Sequence, residues 1–473
     1  MQMRYILDRR YRLRGWHKLS TGLYDAQKHE AQFFAPDFYR LLLCCDAAHD
    51  IDPGTLPEKQ QMFLKNLQTE GVIRPAGWLD FLLPEQRYKT YPARYRREAH
   101  WSITGECNFH CAHCFMSAPS GKHGSPSLAQ LVRVADMLAE CGVFRVGLTG
   151  GEPLIRADFL QLLDALRERE IAVTNLFTNG WLVNEGLLDE LEKRDMHPQF
   201  RLSLDGVGWH DFLRGVPGAE EQTLAALRLL RGRGFQTAVS VCLHRKNAHT
   251  LRETVRLLAS LGVSSVKCGS MMELGEWARE EVRSLQLTPT EEQEIFERYI
   301  PQYFEDDAPL SIILGGSFAY SPGDSTWSNF NEQRCTEKEA GARLSCNVLA
   351  QSFYIGADGL VCPCMGMADS GFADHFPSLE KMSLSGILTD SDLIRYAYAT
   401  VGDIRDRNEK CRQCSFADRC TGGCRNSVLI AGNDYYGIDP ALCAFFENGW
   451  DQRIRDAAQP AFEAYLKRNP PMK

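Results

Sequence analysis

The sequence predicts an α/β protein in three parts: a small α+β unit, a central parallel sheet or open barrel, and a cysteine-rich end. Three observations support this. Strands and helices alternate between about residues 99 and 309. The first 83 residues contain strands followed by two short helices. After residue 310 the alternation stops, and Gly and Cys become frequent. At 473 residues the chain is too long for one compact core.

The central part is predicted from repeated strand–helix units. Residues 143–150 form a strand pattern, and residues 156–170 form a helix whose apolar stripe is Phe159, Leu162, Leu163 and Leu166. Each unit is about 30 residues long, as in right-handed βαβ crossovers, so the strands should be parallel. Motifs at the carboxyl ends of such strands usually build the active site.

The flanking parts are predicted from local patterns. Residues 1–83 contain alternating strands, helices near 37–45 and 56–70, and a final GVI, a pattern typical of a winged-helix module. Residues 84–98 contain two prolines and no apolar stripe, which predicts a linker. The remaining boundaries are 99–309 for the sheet domain, 310–448 for the cysteine-rich domain and 449–473 for a terminal helix.

Composition excludes several classes of protein. The net charge of −8 and the lack of a long basic run argue against a nucleic-acid partner. Charged residues interrupt the opening stretch, and no run of 18 apolar residues occurs, so neither a secretory signal nor a membrane span is expected. We therefore expect a cytoplasmic protein, in which most of the 17 cysteines serve metal binding rather than disulfides.

The most informative motif is GECNFHCAHCF at residues 105–115. Cys107, Cys111 and Cys114 have C-x3-C-x2-C spacing, and no fourth cysteine follows at the spacing of a zinc ribbon. A Cys3His zinc site using His110 or His113 is one alternative. The other is a four-iron cluster whose fourth iron has no protein ligand and is free to bind a small molecule.

Three further motifs stand at the ends of predicted strands. LTGGEP contains Gly150, Gly151 and Glu152, where glycines allow close approach and a carboxylate can receive an ammonium group. FTNG contains Thr178 and Asn179, and LSLDG contains Ser203 and Asp205. Each motif alone is weak, but together with the cysteines they form a strong signal.

Over about residues 98–300 this set of motifs resembles the radical S-adenosylmethionine (SAM) superfamily. The resemblance implies a partial (β/α)6 TIM barrel and a [4Fe-4S] cluster on Cys107, Cys111 and Cys114 that chelates SAM. Gly150, Gly151 and Glu152 would meet the methionine amine, and Ser203 and Asp205 the methionine carboxylate or ribose. MMELGEW at 271–277 would lie near adenine. The implied chemistry is reductive cleavage of SAM to a 5′-deoxyadenosyl radical that abstracts hydrogen.

The later cysteines resemble the SPASM extension of peptide-modifying radical SAM enzymes, which holds two auxiliary [4Fe-4S] clusters. By resemblance, the outer cluster is bound by Cys411, Cys414, Cys420 and Cys443. The inner cluster is bound by Cys346, Cys364 and Cys424 with an upstream cysteine. Cys335 is favoured for that place and Cys362, in a CPC pair, is its rival. Three clusters are therefore expected in all, and a pair of zinc ribbons is the alternative.

The N-terminal unit resembles the winged-helix element that binds leader peptides in pathways for ribosomally synthesised and post-translationally modified peptides (RiPPs). Such elements bind the leader as an added strand. We expect Arg9, Arg10, Arg12 and Arg14 to attract acidic leader residues. The alternative is that this unit only caps the barrel.

The resulting hypothesis is an oxidoreductase that crosslinks a ribosomally made precursor peptide, with a thioether favoured and a carbon–carbon bond possible. A small donor such as flavodoxin or ferredoxin would supply electrons. One alternative is an anaerobic sulfatase-maturating enzyme, although Met365 stands where those enzymes carry Asp. Another is a non-catalytic Fe–S carrier or sensor. The sequence identifies no catalytic base, precursor, bond type or oligomeric state.

Overall fold

The computed structural model describes residues 3–334 and 336–470. Its strands in chain order are β1 Tyr5–Leu7, β2 Tyr11–Trp16, β3 Leu19–Asp25, β4 Glu30–Phe33, β5 Ile73–Pro75, β6 Lys89–Tyr91, β7 Glu98–Ser102, β8 Arg145–Thr149, β9 Ala172–Phe177, β10 Gln199–Ser203, β11 Thr237–Leu243, β12 Ser265–Ser270, β13 Ser311–Leu314, β14 Phe318–Tyr320, β15 Ser352–Ile355 and β16 Val361–Cys362.

The α-helices in chain order are α1 Pro36–Leu43, α2 Glu58–Thr69, α3 Leu128–Glu140, α4 Phe159–Glu168, α5 Glu185–Lys193, α6 His210–Arg214, α7 Ala219–Gly232, α8 Leu251–Ser260, α9 Glu280–Arg283, α10 Pro289–Glu305, α11 Glu337–Ala342, α12 Asn347–Gln351, α13 Leu384–Thr389, α14 Asp392–Ala397, α15 Val401–Arg407, α16 Glu409–Arg412, α17 Arg425–Ile430, α18 Pro440–Glu447 and α19 Trp450–Arg468.

A ten-stranded sheet forms the centre, in the order β14-β13-β12-β11-β10-β9-β8-β7-β15-β16. The strands from β7 to β13 are parallel in sequence order, and a helix follows each of the first six. The central parallel sheet predicted from the alternation is thus present. All these strands consequently direct their carboxyl ends to one rim, where the predicted motifs lie.

The two faces of the central sheet differ in polarity. Buried side chains such as Leu148, Leu176 and Leu202 occupy one face and belong to the main apolar core, which also includes residues of the flanking helices. The alternate positions, facing the other way, include Arg201, Ser240 and Lys267, which are exposed although they lie on central strands. An α/β sheet usually buries both faces, so this open polar face is available to a ligand or partner.

The N-terminal part has its own apolar core beneath strands and helices. A four-stranded sheet in the order β4-β3-β2-β6 and the β1–β5 pair lie beside α1 and α2. The stretch 84–98, predicted as a linker, carries β6, which pairs in parallel with β2. The side chain of Gln86 in that stretch donates to the carbonyls of Leu7 and Asp8, at 3.2 and 2.9 Å. These residues are therefore structural parts of the N-terminal unit.

Aromatic side chains join the N-terminal unit to the central sheet. Trp16, Tyr24 and Tyr91 pack with Phe144, and Trp16 Nε1 donates to the Gly142 carbonyl at 3.2 Å. A buried aromatic cluster of this kind contributes more stability than the exposed ion pairs around it. We therefore expect the two parts to move as a unit.

The region after residue 309 extends the central sheet further than the sequence indicated. β13 continues the parallel series, β14 pairs antiparallel beside it, and β15 adds in parallel next to β7. The region also buries an apolar core of its own. Residues such as Tyr354, Met367 and Tyr435 form a separate apolar cluster there. No helix in the described ranges is long and apolar enough to cross a membrane.

Candidate functional site

The three-cysteine loop begins just after β7, at the carboxyl rim of the sheet. The thiols of Cys107, Cys111 and Cys114 lie close enough to interact electrostatically. Burial raises the pKa of Cys107 to about 12, and the charges of Glu152, Cys111 and Cys114 add to that shift. Such grouped thiols are unfavourable as free thiolates and favourable as ligands to a positive metal centre.

Backbone amides already face two of these sulfur atoms. The Phe109 amide donates to Cys107 Sγ at 3.4 Å, and the Ala118 amide donates to Cys114 Sγ at 3.3 Å. Hydrogen bonds of this kind stabilise thiolates and tune bound clusters. The three cysteines therefore fit a site for an iron–sulfur cluster.

The GGEP motif packs directly on the cysteine loop. The Gly151 amide donates to the Thr104 carbonyl and the Glu152 amide to the Glu106 carbonyl, both at 2.9 Å. A Cβ added at Gly150 would collide with the Thr104 carbonyl, and one at Gly151 with the Glu106 carbonyl. In the structure these two glycines make room for the cysteine loop.

Glu152 is a fully buried acidic group at this rim. Its carboxylate accepts hydrogen bonds from Thr178 Oγ1 at 2.8 Å and from the backbone amides of Asn179 and Leu154, at 2.7 and 3.1 Å. Burial nevertheless raises its pKa to about 7, because desolvation outweighs those donors. The predicted FTNG motif thus serves to hold Glu152 in place.

The FTNG loop also contacts the cysteine loop. Asn179 Nδ2 donates to Asn108 Oδ1 at 2.8 Å, and the Trp181 ring lies 5.6 Å from that of Phe109. Asn108, between the first and second cysteines, was not singled out from the sequence, because an isolated Asn has no distinctive pattern. The structure therefore brings three predicted motifs together: the cysteines, GGEP and FTNG.

The two polar residues of the LSLDG motif, Ser203 and Asp205, lie in different surroundings. Ser203 is partly exposed on the polar face of the sheet. Asp205 is fully buried. Its Oδ2 accepts a hydrogen bond from Arg214 Nε at 2.7 Å, and its Oδ1 accepts one from the Cys242 amide at 3.1 Å. The guanidinium partner keeps the pKa of Asp205 far below its usual range despite burial. Its carboxylate is thus bound by protein donors, unlike the ligand-contacting role expected for it.

His113 lies against Asp205. Its Nε2 is 4.0 Å from Asp205 Oδ2, and one side-chain atom each of His113, Asp205 and Cys242 fall within 4.8 Å of one another. His110 is exposed on the other side of Cys111 in the sequence. The His113 ring therefore lies in the group around Asp205.

The MMELGEW stretch also lies at the cysteine loop. The Glu276 amide donates to the Cys114 carbonyl at 2.9 Å, and a side chain at Gly275 would collide with the Cys114 and Phe115 carbonyls. The cysteine loop, GGEP, FTNG and MMELGEW, four separate parts of the chain, thus meet at this site.

The outer cysteines assigned by resemblance line a single pocket. Cys411, Cys414, Cys420 and Cys443 surround it together with apolar side chains such as Phe416, Leu442 and Phe446. Four thiols around an apolar cavity are the donor set and surroundings that a closed [4Fe-4S] site requires. These residues therefore fit such a cluster.

Three inner cysteines also approach one another. Burial raises the pKa of Cys364 to about 11, and the charges of Cys424 and Cys346 add to the shift. Cys335, favoured as the fourth ligand, lies outside the described residues. Its rival Cys362 is buried in the apolar cluster with Tyr354 and Met367, and burial raises its pKa well above the usual value.

Comparison with family models agrees with both cysteine groups. A model described as the radical SAM superfamily matches residues 101–258, and a SPASM model, described as an iron-sulfur cluster-binding domain, matches residues 346–415. The chain carries a radical SAM domain and a SPASM domain. The cysteine loop, GGEP, FTNG and LSLDG all belong to the first of these, and the inner cysteines Cys346 and Cys364 to the second.

Two curated relatives are similar over most of the chain. An AdoMet-dependent heme synthase of Methanosarcina barkeri is 23% identical, with 72% of this chain and 94% of that protein covered. A PqqA peptide cyclase of Granulibacter bethesdensis is 25% identical, with 72% and 85% covered.

A solved structure shares the fold over almost the entire chain. Streptococcus suis SuiB bound to its precursor peptide SuiA has a TM-score of 0.59 and 16% identity, and the match covers 93% of this chain and all of that chain. The fold similarity therefore extends beyond the radical SAM domain.

Three of the four N-terminal arginines are already engaged within the protein. Arg10 Nε donates to Asp25 at 2.7 Å, and Arg12 Nη2 donates to Glu170 of the radical SAM domain at 2.6 Å. Arg14 is buried and donates to the carbonyls of Glu85 and Arg87. The expectation that these three attract an acidic leader was wrong, and Arg9 alone of the four is exposed.

Proposed function

We propose that this protein is a radical SAM oxidoreductase that installs a crosslink within a ribosomally made precursor peptide. The observation that carries the proposal is the incomplete cysteine site. Three thiols, and not four, are held together at the sheet rim by GGEP and MMELGEW. A site with three protein ligands leaves a coordination place for a substrate or cosubstrate.

The first site would hold a [4Fe-4S] cluster on Cys107, Cys111 and Cys114, with SAM on its open iron. When bound, these groups supply a 5′-deoxyadenosyl radical that abstracts hydrogen from the peptide. The chain's own part is to orient SAM and to exclude water. Glu152 would receive the methionine amine, with the backbone of Gly150 and Gly151 beside it, and Ser203 would contribute from β10.

The SPASM domain would hold two closed clusters. Cys411, Cys414, Cys420 and Cys443 would bind the outer cluster in their shared pocket. Cys346, Cys364 and Cys424 would bind the inner cluster, with Cys335 as the fourth ligand. Cys362 is the rival for that place, and Cys346 and Cys364 pack against the apolar cluster that contains it. Crosslinking oxidises the peptide by two electrons. The radical would take the first electron, and an auxiliary cluster would accept the second electron. A flavodoxin- or ferredoxin-like protein would reduce the cluster on Cys107, Cys111 and Cys114.

The open face of the central sheet offers a place for the reacting part of the peptide. Arg201, Ser240 and Lys267 are exposed there, on neighbouring strands β10, β11 and β12. Lys267 lies near enough to influence both Cys364 of the inner cysteine group and Cys242, which is next to the Asp205 network. This face therefore connects the surroundings of the two cluster sites, as a substrate between them requires.

The N-terminal unit would act as a winged-helix domain that binds the leader. β4 lies at an edge of its sheet, the position at which an added strand would pair. Close to β5, three large apolar side chains are exposed: Trp78 by 91%, Leu79 by 67% and Phe81 by 67%. Apolar groups clustered this way mark interaction sites, and aromatic residues commonly dominate binding energy.

Two alternatives are less well supported. Formylglycine formation, as in anaerobic sulfatase-maturating enzymes, does not require the N-terminal unit, and Met365 departs from the Asp expected there. A non-catalytic Fe–S carrier does not need an open three-cysteine site or the GGEP contacts to it. The relative named as a heme synthase contributes no feature of this chain that favours heme as substrate.

SAM cleavage tests the proposal. The anaerobically reconstituted protein, given SAM and dithionite, should form 5′-deoxyadenosine, and Cys107→Ala should abolish that activity. The matched control is Cys141→Ala, because Cys141 is buried at the end of α3 and belongs to the apolar core. Absence of 5′-deoxyadenosine from the wild type, or equal formation by Cys107→Ala, would refute the assignment.

A further inference from the structure

We propose that Arg214 is a positioning residue that donates a hydrogen bond to Cys111 Sγ and raises the reduction potential of the cluster at Cys107, Cys111 and Cys114. This inference rests on the proposed function, because it concerns the same cluster. No sequence motif points to Arg214, which lies at the end of the short helix α6.

The position of Arg214 is defined by two contacts. Its Nε donates to Asp205 Oδ2 at 2.7 Å, and its Nη1 donates to Cys111 Sγ at 3.7 Å. The side chain is nearly buried between these groups. A planar guanidinium whose Nε–H is held by a carboxylate can point its remaining N–H groups in only a few directions, and here one of them meets the sulfur.

Asp205 is itself held firmly. Its Oδ1 accepts from the Cys242 amide at 3.1 Å, its carbonyl accepts from Asn247 Nδ2 at 2.7 Å, and its own amide donates to His210 Nδ1 at 3.0 Å. The sequence assigned Asp205 to SAM, but these contacts make it the anchor for Arg214. Groups that orient the donors around a metal site are a recognised means of tuning it.

Each of the three sulfur atoms thus has at least one donor among the described residues. Cys107 and Cys114 receive neutral backbone amides, from Phe109 and Ala118, and Cys111 receives the charged guanidinium. Hydrogen bonds and positive charge near cluster sulfurs stabilise the reduced form, which carries one more negative charge. Burial weakens solvent screening and so strengthens the effect of Arg214.

The test is a redox titration of the reconstituted full-length protein followed by electron paramagnetic resonance. The first cluster is identified as the signal that changes when SAM is added, and the remaining signals report the auxiliary clusters. Arg214→Gln removes the charge and should shift the midpoint potential of the SAM-responsive signal to more negative values, with the other potentials unchanged. Arg214→Lys keeps the positive charge but loses the planar guanidinium geometry, so it should shift the midpoint potential less.

Arg194→Gln is the matched control, because Arg194 also donates to a carboxylate, that of Asp164, and no thiol contact is found for it among the described residues. It should leave the potential unchanged. An unchanged potential in Arg214→Gln with weaker SAM binding would overturn the inference and make Arg214 a SAM ligand. If Arg214→Gln loses iron, the decision rests on Arg214→Lys, and a wild-type potential there would overturn the inference as well. A wild-type protein without any SAM-responsive signal would instead refute the proposed function.

Discussion

At the residue scale, the first site depends on a buried carboxyl group with three donors. Thr178, Asn179 and Leu154 all donate to Glu152, which supports its ionised form, while burial opposes ionisation. The balance leaves its pKa at about 7. SAM carries an amino group, so its binding should favour the ionised carboxylate and thereby release a proton near neutral pH.

This balance predicts a pH-dependent affinity for SAM. The raised pKa keeps Glu152 protonated at higher pH than usual, so affinity should fall as pH falls through about 7. With ionised Glu152 required, the Kd for SAM should be about fivefold weaker at pH 6 than at pH 7. Calorimetric titration of cluster-loaded protein measures this. Glu152→Gln should bind more weakly and lose the dependence; a dependence equal to that of the wild type would contradict this role.

Residue roles were also the hardest feature to predict from sequence. Cysteine spacing and GGEP are local patterns, so they were recognised directly. The motif predicts that Asp205 contacts SAM, because no local pattern reveals that Arg214, nine positions later, donates a hydrogen bond to Asp205. Arg10 and Arg12 are predicted to attract the leader because their ion-pair partners within the protein, Asp25 and Glu170, are distant in sequence.

At the scale of elements, the cysteine loop depends on close contact with the turn that follows β8. Gly151→Ala would place a Cβ against the Glu106 carbonyl and near Cys107, so one of the two backbone segments must move. The displaced thiol should prevent stable assembly of the first cluster. We expect a loss of about four iron atoms per chain, the content of one [4Fe-4S] cluster, and loss of SAM cleavage.

Iron and sulfide assays after anaerobic reconstitution check this expectation. Gly232→Ala is the control, since a Cβ at that position of α7 meets nothing within 4 Å. The control should retain full iron content and activity. Normal iron content in Gly151→Ala would show that the glycine is not needed for the loop.

Elements were predicted well where periodicity is strong and poorly where pairing is non-local. The strand–helix repeats from β8 to α8 follow from apolar spacing alone. β6 was predicted as part of a linker because its three residues pair only with distant β2. β15 joins the central sheet beside β7, more than 240 positions away, and no local pattern indicates such pairing.

At the scale of the whole molecule, the N-terminal unit and the radical SAM domain form one connected body, and the unit keeps an exposed apolar segment. If that segment binds the leader, the double variant Trp78→Ala, Phe81→Ala should weaken precursor binding by about tenfold or more, or about 1.4 kcal/mol. SAM cleavage without peptide should not change, because the segment does not contact the first site.

Fluorescence anisotropy with a labelled candidate precursor peptide measures this binding. Met382→Ala is the control, since Met382 is a 43% exposed apolar residue of the C-terminal part. Unchanged affinity in the double variant would show that the leader does not bind this segment. It would leave the edge strand β4 as the remaining candidate.

The central claim is that the three-cysteine site drives crosslinking of a peptide. The most direct measurement is mass spectrometry of that precursor after anaerobic co-expression with the wild-type protein or with Cys107→Ala. The account predicts a loss of about 2 Da per crosslink, the mass of two hydrogen atoms, with the wild type alone. An unmodified precursor from active wild-type protein, or the same loss with Cys107→Ala, would contradict it.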